Sequence, residues 1–150
     1  MRVLFTGGSG KAGKHVVAYL AAQGHRVLNV DKLPLRHPGV ADLVADITDS
    51  GQMFNAMTAY ASGDDLEDGL GHRKFDAVVH FAGSIVVPDS VRDPLGYYLN
   101  NTVKSRMLMA CAVKARIPRF IFSSTAAVYG NVPAEPVFED RPPAPVSPYG

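Results

Sequence analysis

Three glycines near the start of the chain have the spacing of a turn that approaches a phosphate group. Gly8, Gly10 and Gly13 form the pattern G-x-G-x-x-G between a short apolar run and a segment whose apolar residues recur at helical spacing. In such a turn one glycine allows the tight bend, another lets the backbone approach a pyrophosphate, and another lets helix and strand pack closely. N–H groups at the start of the helix then face the anion. A glycine turn without any ligand is the simpler interpretation of this motif alone.

Asp31 strengthens the case for a dinucleotide. It follows a second apolar run, close to the spacing of about 20 residues at which a carboxylate accepts hydrogen bonds from an adenosine ribose. Taken alone, Asp31 would be a turn residue at the end of a strand. With the glycine turn it predicts a dinucleotide site that prefers NAD to NADP, because a carboxylate repels a 2′-phosphate. Lys11 and Lys32 are expected to weaken that exclusion.

A second group of side chains able to do chemistry lies in the last part of the chain. Three hydroxyl residues, Ser123–Thr125, follow an apolar run, and Tyr149 stands near residue 150. A hydroxyl cluster after a strand is as often an ordinary turn as a functional site. The position of this one, at the carboxyl end of a strand beside the expected nicotinamide, favours a functional role.

Strand-like and helix-like segments alternate along the chain, which is typical of a parallel sheet covered by helices. The predicted strands are Arg2–Thr6, Arg26–Val30, Asp42–Ala45, Phe75–Phe81 and Phe120–Phe122. The first predicted helix ends near Gly24. The second runs over about 53–60, with Thr48 or Asp49 as its N-terminal cap, and the third over about 95–116. We predict an α/β fold, a Rossmann-type doubly wound parallel sheet with strand order 3-2-1-4-5. A ligand would lie outside the strand carboxyl ends, between strands 1 and 4.

The remaining segments predict loops. Residues 62–74 are polar and acidic, as a solvated loop is, and carry no expected chemistry. Residues 123–150 are rich in proline, and we expect them to form a loop that lies over the site.

Composition limits the class of protein that this chain can be. Its 150 residues are 47% hydrophobic and 19% charged with a net charge of +1, so we expect one globular domain that does not bind nucleic acid. No apolar run is long enough to cross a bilayer and no signal peptide precedes the first strand, so no membrane association is expected. Cys111 is the single cysteine and is expected in the core of a cytoplasmic protein. The histidines have no metal-ligand spacing, and no metal is predicted.

Four stretches of the chain together resemble the extended short-chain dehydrogenase/reductase family, and in particular its NAD-dependent epimerase/dehydratases. They are His80–Gly83, Asp93–Asn101, Ser123–Thr125 and Ser147–Gly150. The resemblance covers the entire chain, and the branch that it resembles most is that of the UDP-glucose (UDP-galactose) 4-epimerases. It implies that residues 1–150 form a Rossmann domain with NAD as its cofactor.

The same resemblance implies which residues hold the cofactor and which act on the sugar. The implied cofactor-binding residues are Gly7, Gly10, Lys11, Ala12, Gly13, Asp31, Lys32, Asp46, Ile47, Phe81, Ala82, Gly83, Asn100 and Ser123. Thr125 matches the catalytic Ser/Thr of the family, and Tyr149 matches the tyrosine of its Y-x-x-x-K motif. In the implied reaction Tyr149 removes a proton from a sugar hydroxyl, Thr125 orients that hydroxyl or relays its proton, and NAD takes up and returns a hydride.

Two functions therefore stay open. The chain is either the NAD-binding domain of a sugar-nucleotide epimerase/dehydratase, or a non-catalytic NAD-binding module, whether truncated, engineered as a chimera or sensory. The motif lysine and the substrate domain would lie beyond Gly150, so a UDP-sugar is an expected partner only if that part is present. Residues 1–150 alone are expected to bind NAD without useful turnover.

We also predict self-association, most simply as a homodimer. The fifth strand would be an uncovered edge of the sheet, and such edges pair with other chains. An apolar stripe of Tyr97, Leu108 and Met109 on the long helix either contributes a second contact or packs on the sheet.

Overall fold

The computed structural model describes residues 1–59, 75–134 and 136–150, and its centre is a five-stranded parallel sheet. The strands are Arg2–Thr6 (β1), Arg26–Asp31 (β2), Ala41–Val44 (β3), Ala77–His80 (β4) and Phe120–Phe122 (β5). Their order is β3-β2-β1-β4-β5, and every neighbouring pair is parallel, which confirms the predicted topology. The order reverses between β1 and β4, where a crevice forms at the strand carboxyl ends.

Helices cover both faces of this sheet. They are Gly13–Ala22 (α1), Ser50–Ala59 (α2), Val87–Arg92 (α3), Pro94–Tyr97 (α4) and Lys104–Lys114 (α5), with a π-helical turn over Tyr98–Val103 and a 3₁₀ helix over Ala126–Tyr129. In place of one regular helix over 95–116, the structure has α4, the π turn and α5 in succession. The short α3 and the 3₁₀ helix are not among the predicted elements. The predicted end of the second helix at residue 60 and the acidic segment 62–74 lie outside the described residues.

Two helix ends have clear physical causes. Asp49, one of the two predicted caps of α2, accepts a hydrogen bond on Oδ1 from the backbone N–H of Gln52 at 2.8 Å. α1 ends shortly before Gly24, whose φ of +76° lies in the left-handed region that glycine adopts without strain.

Apolar side chains of the central strands alternate between the two faces of the sheet. On one face Leu4, Leu28 and Val78 belong to a core cluster with α2 and α5. On the other face Val3, Phe5, Val27 and Val79 pack with Val17 of α1. The nearly continuous apolar strands are therefore covered on both sides, as in other parallel sheets.

For the apolar stripe on the long helix, a contact with another chain is wrong at Leu108, and the alternative, packing within the fold, is confirmed there. Leu108 is fully buried in the core cluster and cannot belong to an exposed apolar stripe. Met109 is 44% exposed, because successive residues of a helix are rotated by about 100° about its axis. Cys111 is buried in the same cluster as Leu108, so the prediction of a core cysteine is confirmed.

No helix within the described ranges is both long and apolar enough to cross a membrane. The same ranges bring together no group of three or more His, Cys, Asp or Glu side chains that fits a metal ion.

His80 is a fully buried titratable side chain at the end of β4. Its Nδ1 lies 2.6 Å from Oγ1 of Thr6 on β1, and its Nε2 lies 2.7 Å from Oγ of Ser105 on α5. Burial disfavours the charged imidazolium and lowers the pKa of His80 to about 4. In an unfolded chain the pKa of histidine is about 6.5, so the unfolded state binds the proton first as the pH falls.

We therefore expect the free energy of unfolding to fall by about 3 kcal/mol as the pH is lowered from about 6.5 to about 4. Above that window His80 is neutral in both states and adds no pH dependence. Urea denaturation across the window, with wild type and His80→Gln, measures the effect. The variant keeps a polar side chain that does not titrate, so its stability should depend less on pH by that amount.

His80→Leu serves as a second variant, since it also removes the hydrogen bonds to Thr6 and Ser105. It should be less stable than His80→Gln near pH 7 and share its flatter pH dependence. Equal pH slopes for wild type and both variants would contradict the role given to His80.

Candidate functional site

Two adjoining cavities open at the carboxyl ends of the central strands. The first has a volume of about 400 Å³ and is lined by Gly7, Ser9, Gly10, Val30, Asp31, Lys32, Leu33, Ala45, Asp46, Ile47, Phe81, Ala82, Gly83, Ser84 and Asn100. The second has a volume of about 230 Å³, and Ser123, Thr125 and Tyr149 are among its lining residues. The segment 81–84 is a wall of both cavities. The two cavities are therefore neighbours with these four residues in common.

The predicted cofactor residues fall into three groups. Most of them line the first cavity. Ser123 lines the second cavity with the predicted catalytic pair. Lys11, Ala12 and Gly13 line neither, and lie at the start of α1.

Gly7 sits where the turn after β1 meets the segment after β4. Its φ is +80°, and a Cβ at this position would lie 2.5 Å from the backbone nitrogen of Ala82 and 2.7 Å from the carbonyl carbon of Phe81. Backbone atoms cannot move aside as a flexible side chain can. Gly13 has a similar constraint, because a Cβ there would collide with the carbonyl oxygen of Gly7. These glycines are therefore required by the close approach of backbone segments.

The start of α1 is a helix N-terminus without a side-chain cap. Ala12 precedes the helix and provides no capping group, and the first turn contains no acidic residue. Within the part of the chain that the structure describes, the N–H groups of Lys11, Ala12 and Gly13 have no hydrogen-bond acceptor. Unpaired N–H groups and the helix dipole together make this end suitable for an anion.

Asp31 ends β2 at the edge of the first cavity. Its Oδ2 accepts a hydrogen bond from the backbone N–H of Ser9 at 3.0 Å, and its Oδ1 accepts one from Leu33 at 3.3 Å. Each carboxylate oxygen can accept more than one hydrogen bond, so Asp31 keeps acceptor capacity for a ligand.

Asp46 lies opposite, after β3, and forms two ion pairs. Nζ of Lys32 is 3.1 Å from its Oδ2, and Nζ of Lys104 is 3.6 Å from its Oδ1. The N–H of Thr48 donates to Oδ1 at 3.0 Å, and this hydrogen bond together with the lysines holds the pKa of Asp46 well below its usual value against the opposing effect of burial. Lys32, expected to weaken the exclusion of NADP, is thus paired with a carboxylate.

Ser84, at the end of the shared wall, is held by two consecutive asparagines of the π turn. Asn101 accepts from the Ser84 N–H and donates to the Ser84 carbonyl, both at 2.8 Å. Asn100 donates from Nδ2 to Oγ of Ser84 at 2.9 Å. From the sequence, Asn100 was expected at the cofactor and Ser84 was only a small residue after the fourth strand. Asn101 was given no role, although two adjacent asparagines within a helix were an available signal.

Thr125 begins the 3₁₀ helix that follows β5. Its Oγ1 accepts a hydrogen bond from the backbone N–H of Ala127 at 3.2 Å, which caps the helix. Because the hydroxyl acts as an acceptor there, its hydrogen stays available for donation to a ligand.

Tyr149 reaches the second cavity because the last segment of the chain folds back onto the 3₁₀ helix. The N–H of Ala144 donates to the carbonyl of Val128 at 2.8 Å and fixes this return. The Tyr149 ring then contacts Tyr97 edge-on, with ring centroids 6.4 Å apart and planes at 84°. Tyr97 is itself fixed, since its hydroxyl donates to the Val86 carbonyl at 2.8 Å. The structure therefore brings Thr125 and Tyr149 into one cavity.

Known proteins share this architecture. The chain is 39% identical to the UDP-glucose 4-epimerase of Azospirillum brasilense over 99% of its own length and 40% of that protein. The solved structure of the Thermus thermophilus UDP-glucose 4-epimerase in complex with NAD is 31% identical, with a TM-score of 0.84 over 99% of this chain and 46% of that one. The Thermotoga maritima UDP-glucose 4-epimerase with UDP-glucose is also 31% identical, with a TM-score of 0.84 over 100% of this chain and 47% of that one.

The chain thus spans less than half the length of these relatives. Residues 3–150 match the family described as "NAD dependent epimerase/dehydratase family". Because this match covers nearly the whole chain, the chain belongs to the NAD-dependent epimerase/dehydratase family.

Proposed function

We propose that the chain is the NAD-binding part of a sugar-nucleotide epimerase that interconverts UDP-glucose and UDP-galactose. The observation that carries this proposal is the shared wall at 81–84, which joins a cavity suited to a dinucleotide to a cavity lined by Thr125 and Tyr149. A ligand that lies along this wall can present its reactive end to those two side chains.

The first cavity and the neighbouring start of α1 fit the separate parts of NAD. The uncapped start of α1, with Lys11 beside it, suits the diphosphate. Asp31 suits the hydroxyls of the adenosine ribose, because its carboxylate is a pure acceptor. Ile47, which is almost fully buried, and Asp46 give the adenine an apolar surface and a polar edge.

The second cavity supplies the groups that handle the proton. Bound NAD would provide a hydride acceptor and then a hydride donor. The phenolic oxygen of Tyr149 would take the proton from a sugar hydroxyl and later return it. Oγ1 of Thr125, with its hydrogen free to donate, would orient that sugar hydroxyl.

The direct test is a coupled assay for conversion of UDP-galactose to UDP-glucose, together with the intact mass of the protein assayed. We expect turnover from a protein that also contains the part of the relatives' length that this chain does not cover. The 150-residue polypeptide of 16.0 kDa should bind NAD without turnover. That result would mean that these residues alone act as an NAD-binding module. A longer, NAD-loaded protein without turnover on UDP-sugars would overturn the epimerase proposal.

Asp31→Asn is expected to reduce the preference for NAD over NADP by about tenfold, since it removes the charge that repels a 2′-phosphate. Calorimetric titration of wild type and variant with both dinucleotides gives the ratio of the two affinities. Asp89→Asn is the matched control, because Asp89 is an exposed aspartate of α3 that lines neither cavity. An unchanged ratio in Asp31→Asn would show that Asp31 does not select the cofactor.

We further propose that the chain forms a homodimer. Among the described strands, β5 pairs only with β4, and Ile121 and Phe122 are more than half exposed. Leu95 and Leu99 expose apolar surface one helical turn apart on α4 and the π turn. Light scattering at high protein concentration should give a dimer mass, and Leu95→Lys should shift it toward the monomer. A strictly monomeric wild-type protein would contradict this.

A further inference from the structure

Asn29 is a fully buried polar side chain of β2 that lines neither cavity. Its Oδ1 accepts a hydrogen bond from the backbone N–H of Gly8 at 3.0 Å. Its Nδ2 donates to Oδ1 of Asp42 at 2.8 Å and to Oγ of Ser9 at 3.2 Å. The side chain therefore links the glycine turn after β1 to β3.

Asp42 extends this link to the segment that follows β2. Its carboxylate accepts hydrogen bonds from the backbone N–H groups of Leu35 at 3.1 Å and Arg36 at 2.8 Å. Burial raises the pKa of Asp42, but hydrogen bonds from Arg36, Asn29 and Leu35 outweigh it and hold the pKa below its ordinary value. Asp42 is thus an ionised acceptor that requires a donor from Asn29.

The position of Asn29 requires a side chain with both an acceptor and a donor. The N–H of Gly8 needs an acceptor, whereas the carboxylate of Asp42 needs a donor, and an amide supplies both in one orientation. Position 8 in turn requires a glycine, because a Cβ there would collide with Oδ1 of Asn29. The amide of Asn29 and the missing side chain of Gly8 together fix the distance between the glycine turn and β2.

We propose that Asn29 is a positioning residue of the NAD site, held in orientation by Asp42. This proposal rests on the proposed function. The link joins two parts of that site, since the glycine turn leads into the diphosphate position at α1 and Asp31 lies at the ribose position. A site that is fixed before the ligand arrives loses less conformational entropy on binding, and so binds more tightly.

Exchanging the two polar groups tests the link. Asn29→Asp keeps an acceptor for Gly8 but puts a carboxylate where a donor lies 2.8 Å from Asp42. We expect the affinity of the full chain for NAD, measured by calorimetry at 15–20 °C, to fall about tenfold or more, as for loss of a buried hydrogen-bond partner. Asp42→Asn should also weaken binding, because its amide cannot satisfy all three donors. The double variant Asn29→Asp/Asp42→Asn restores the donor–acceptor pair between the two side chains but leaves the N–H of Leu35 without its acceptor, so it should regain part of the affinity that Asn29→Asp loses.

A second readout separates positioning from a general loss of structure. In the proposed site adenosine would occupy only the ribose position at Asp31, whereas ADP would also reach the diphosphate position at the start of α1. Asn29→Asp should therefore weaken ADP much more than adenosine in ligand-observed NMR titrations, while an unspecific structural defect would weaken both alike. Circular dichroism at the titration temperature shows that each variant is folded. If Asn29→Asp does not fold, the NAD affinity of Asp42→Asn against that of wild type decides.

Equal NAD affinities for wild type and the folded single variants would overturn the proposal, as would a double variant no better than the weaker single one. An equal loss for adenosine and ADP would also overturn it. Each of these outcomes leaves NAD binding by the wild-type chain intact. Absence of NAD binding by the wild type would overturn the proposed function and this inference with it.

Discussion

Tyr149→Phe is expected to lower kcat for UDP-galactose epimerisation by about 10²–10⁴-fold, the usual effect of losing a general acid–base group, in protein that shows turnover before the change. The phenyl ring keeps the edge-on contact with Tyr97 and loses only the phenolic oxygen. NAD affinity should change little, because Tyr149 lines the second cavity and not the first. A coupled assay and an NAD titration on the same samples measure both quantities.

Tyr129→Phe is the matched control for that variant. Tyr129 belongs to the 3₁₀ helix near Thr125, but it lines neither cavity. Its loss of a hydroxyl should leave kcat unchanged. If Tyr149→Phe turned over as fast as this control, Tyr149 would have no part in the proton transfer.

Gly7→Ala is expected to lower the free energy of unfolding by about 2–5 kcal/mol. Left-handed backbone at a residue with a Cβ costs about 1–2 kcal/mol, and a side-chain atom forced into a filled space costs about 1–3 kcal/mol more. Both apply at Gly7, where φ is +80° and a Cβ would meet the backbone of Ala82 at 2.5 Å. Urea denaturation at neutral pH measures the change.

Gly24→Ala separates the two contributions. Gly24 has a φ of +76°, close to that of Gly7, but a Cβ there has no atom within 4 Å. It should therefore cost only the backbone term of about 1–2 kcal/mol. Equal losses at Gly7 and Gly24 would show that the contact between the glycine turn and the segment after β4 is looser than the structure shows.

The strand order followed from the sequence because its determinants are local. Five short apolar runs, all but the second and third separated by a helical segment, leave few arrangements once crossovers are right-handed. The position of Asp31 and the hydroxyls Ser123 and Thr125 at strand carboxyl ends could be predicted for the same reason. Each lies at the end of its strand or within three residues after it, and parallel strands end on the same side of the sheet.

The features that could not be predicted depend on contacts between distant residues. In the sequence Asn29 is an ordinary residue of a predicted strand. Only the fold brings Gly8 to the oxygen of its side-chain amide and Asp42 to the nitrogen. The π turn, which lets Asn100 and Asn101 both hold Ser84, leaves no periodic signal in six residues. The burial of Leu108 could have been predicted, because it shares the i, i+3, i+4, i+7 spacing with Cys111, Ala112 and Ala115, whereas Met109 does not.

The central claim is that this chain binds NAD in the cleft at the carboxyl ends of β1, β2 and β4. The most direct test is calorimetric titration of the folded 150-residue chain with NAD and, separately, with NADP. The account predicts saturable binding of one NAD per chain, tighter than the binding of NADP. Absence of NAD binding by protein shown to be folded, or tighter binding of NADP than of NAD, would contradict it.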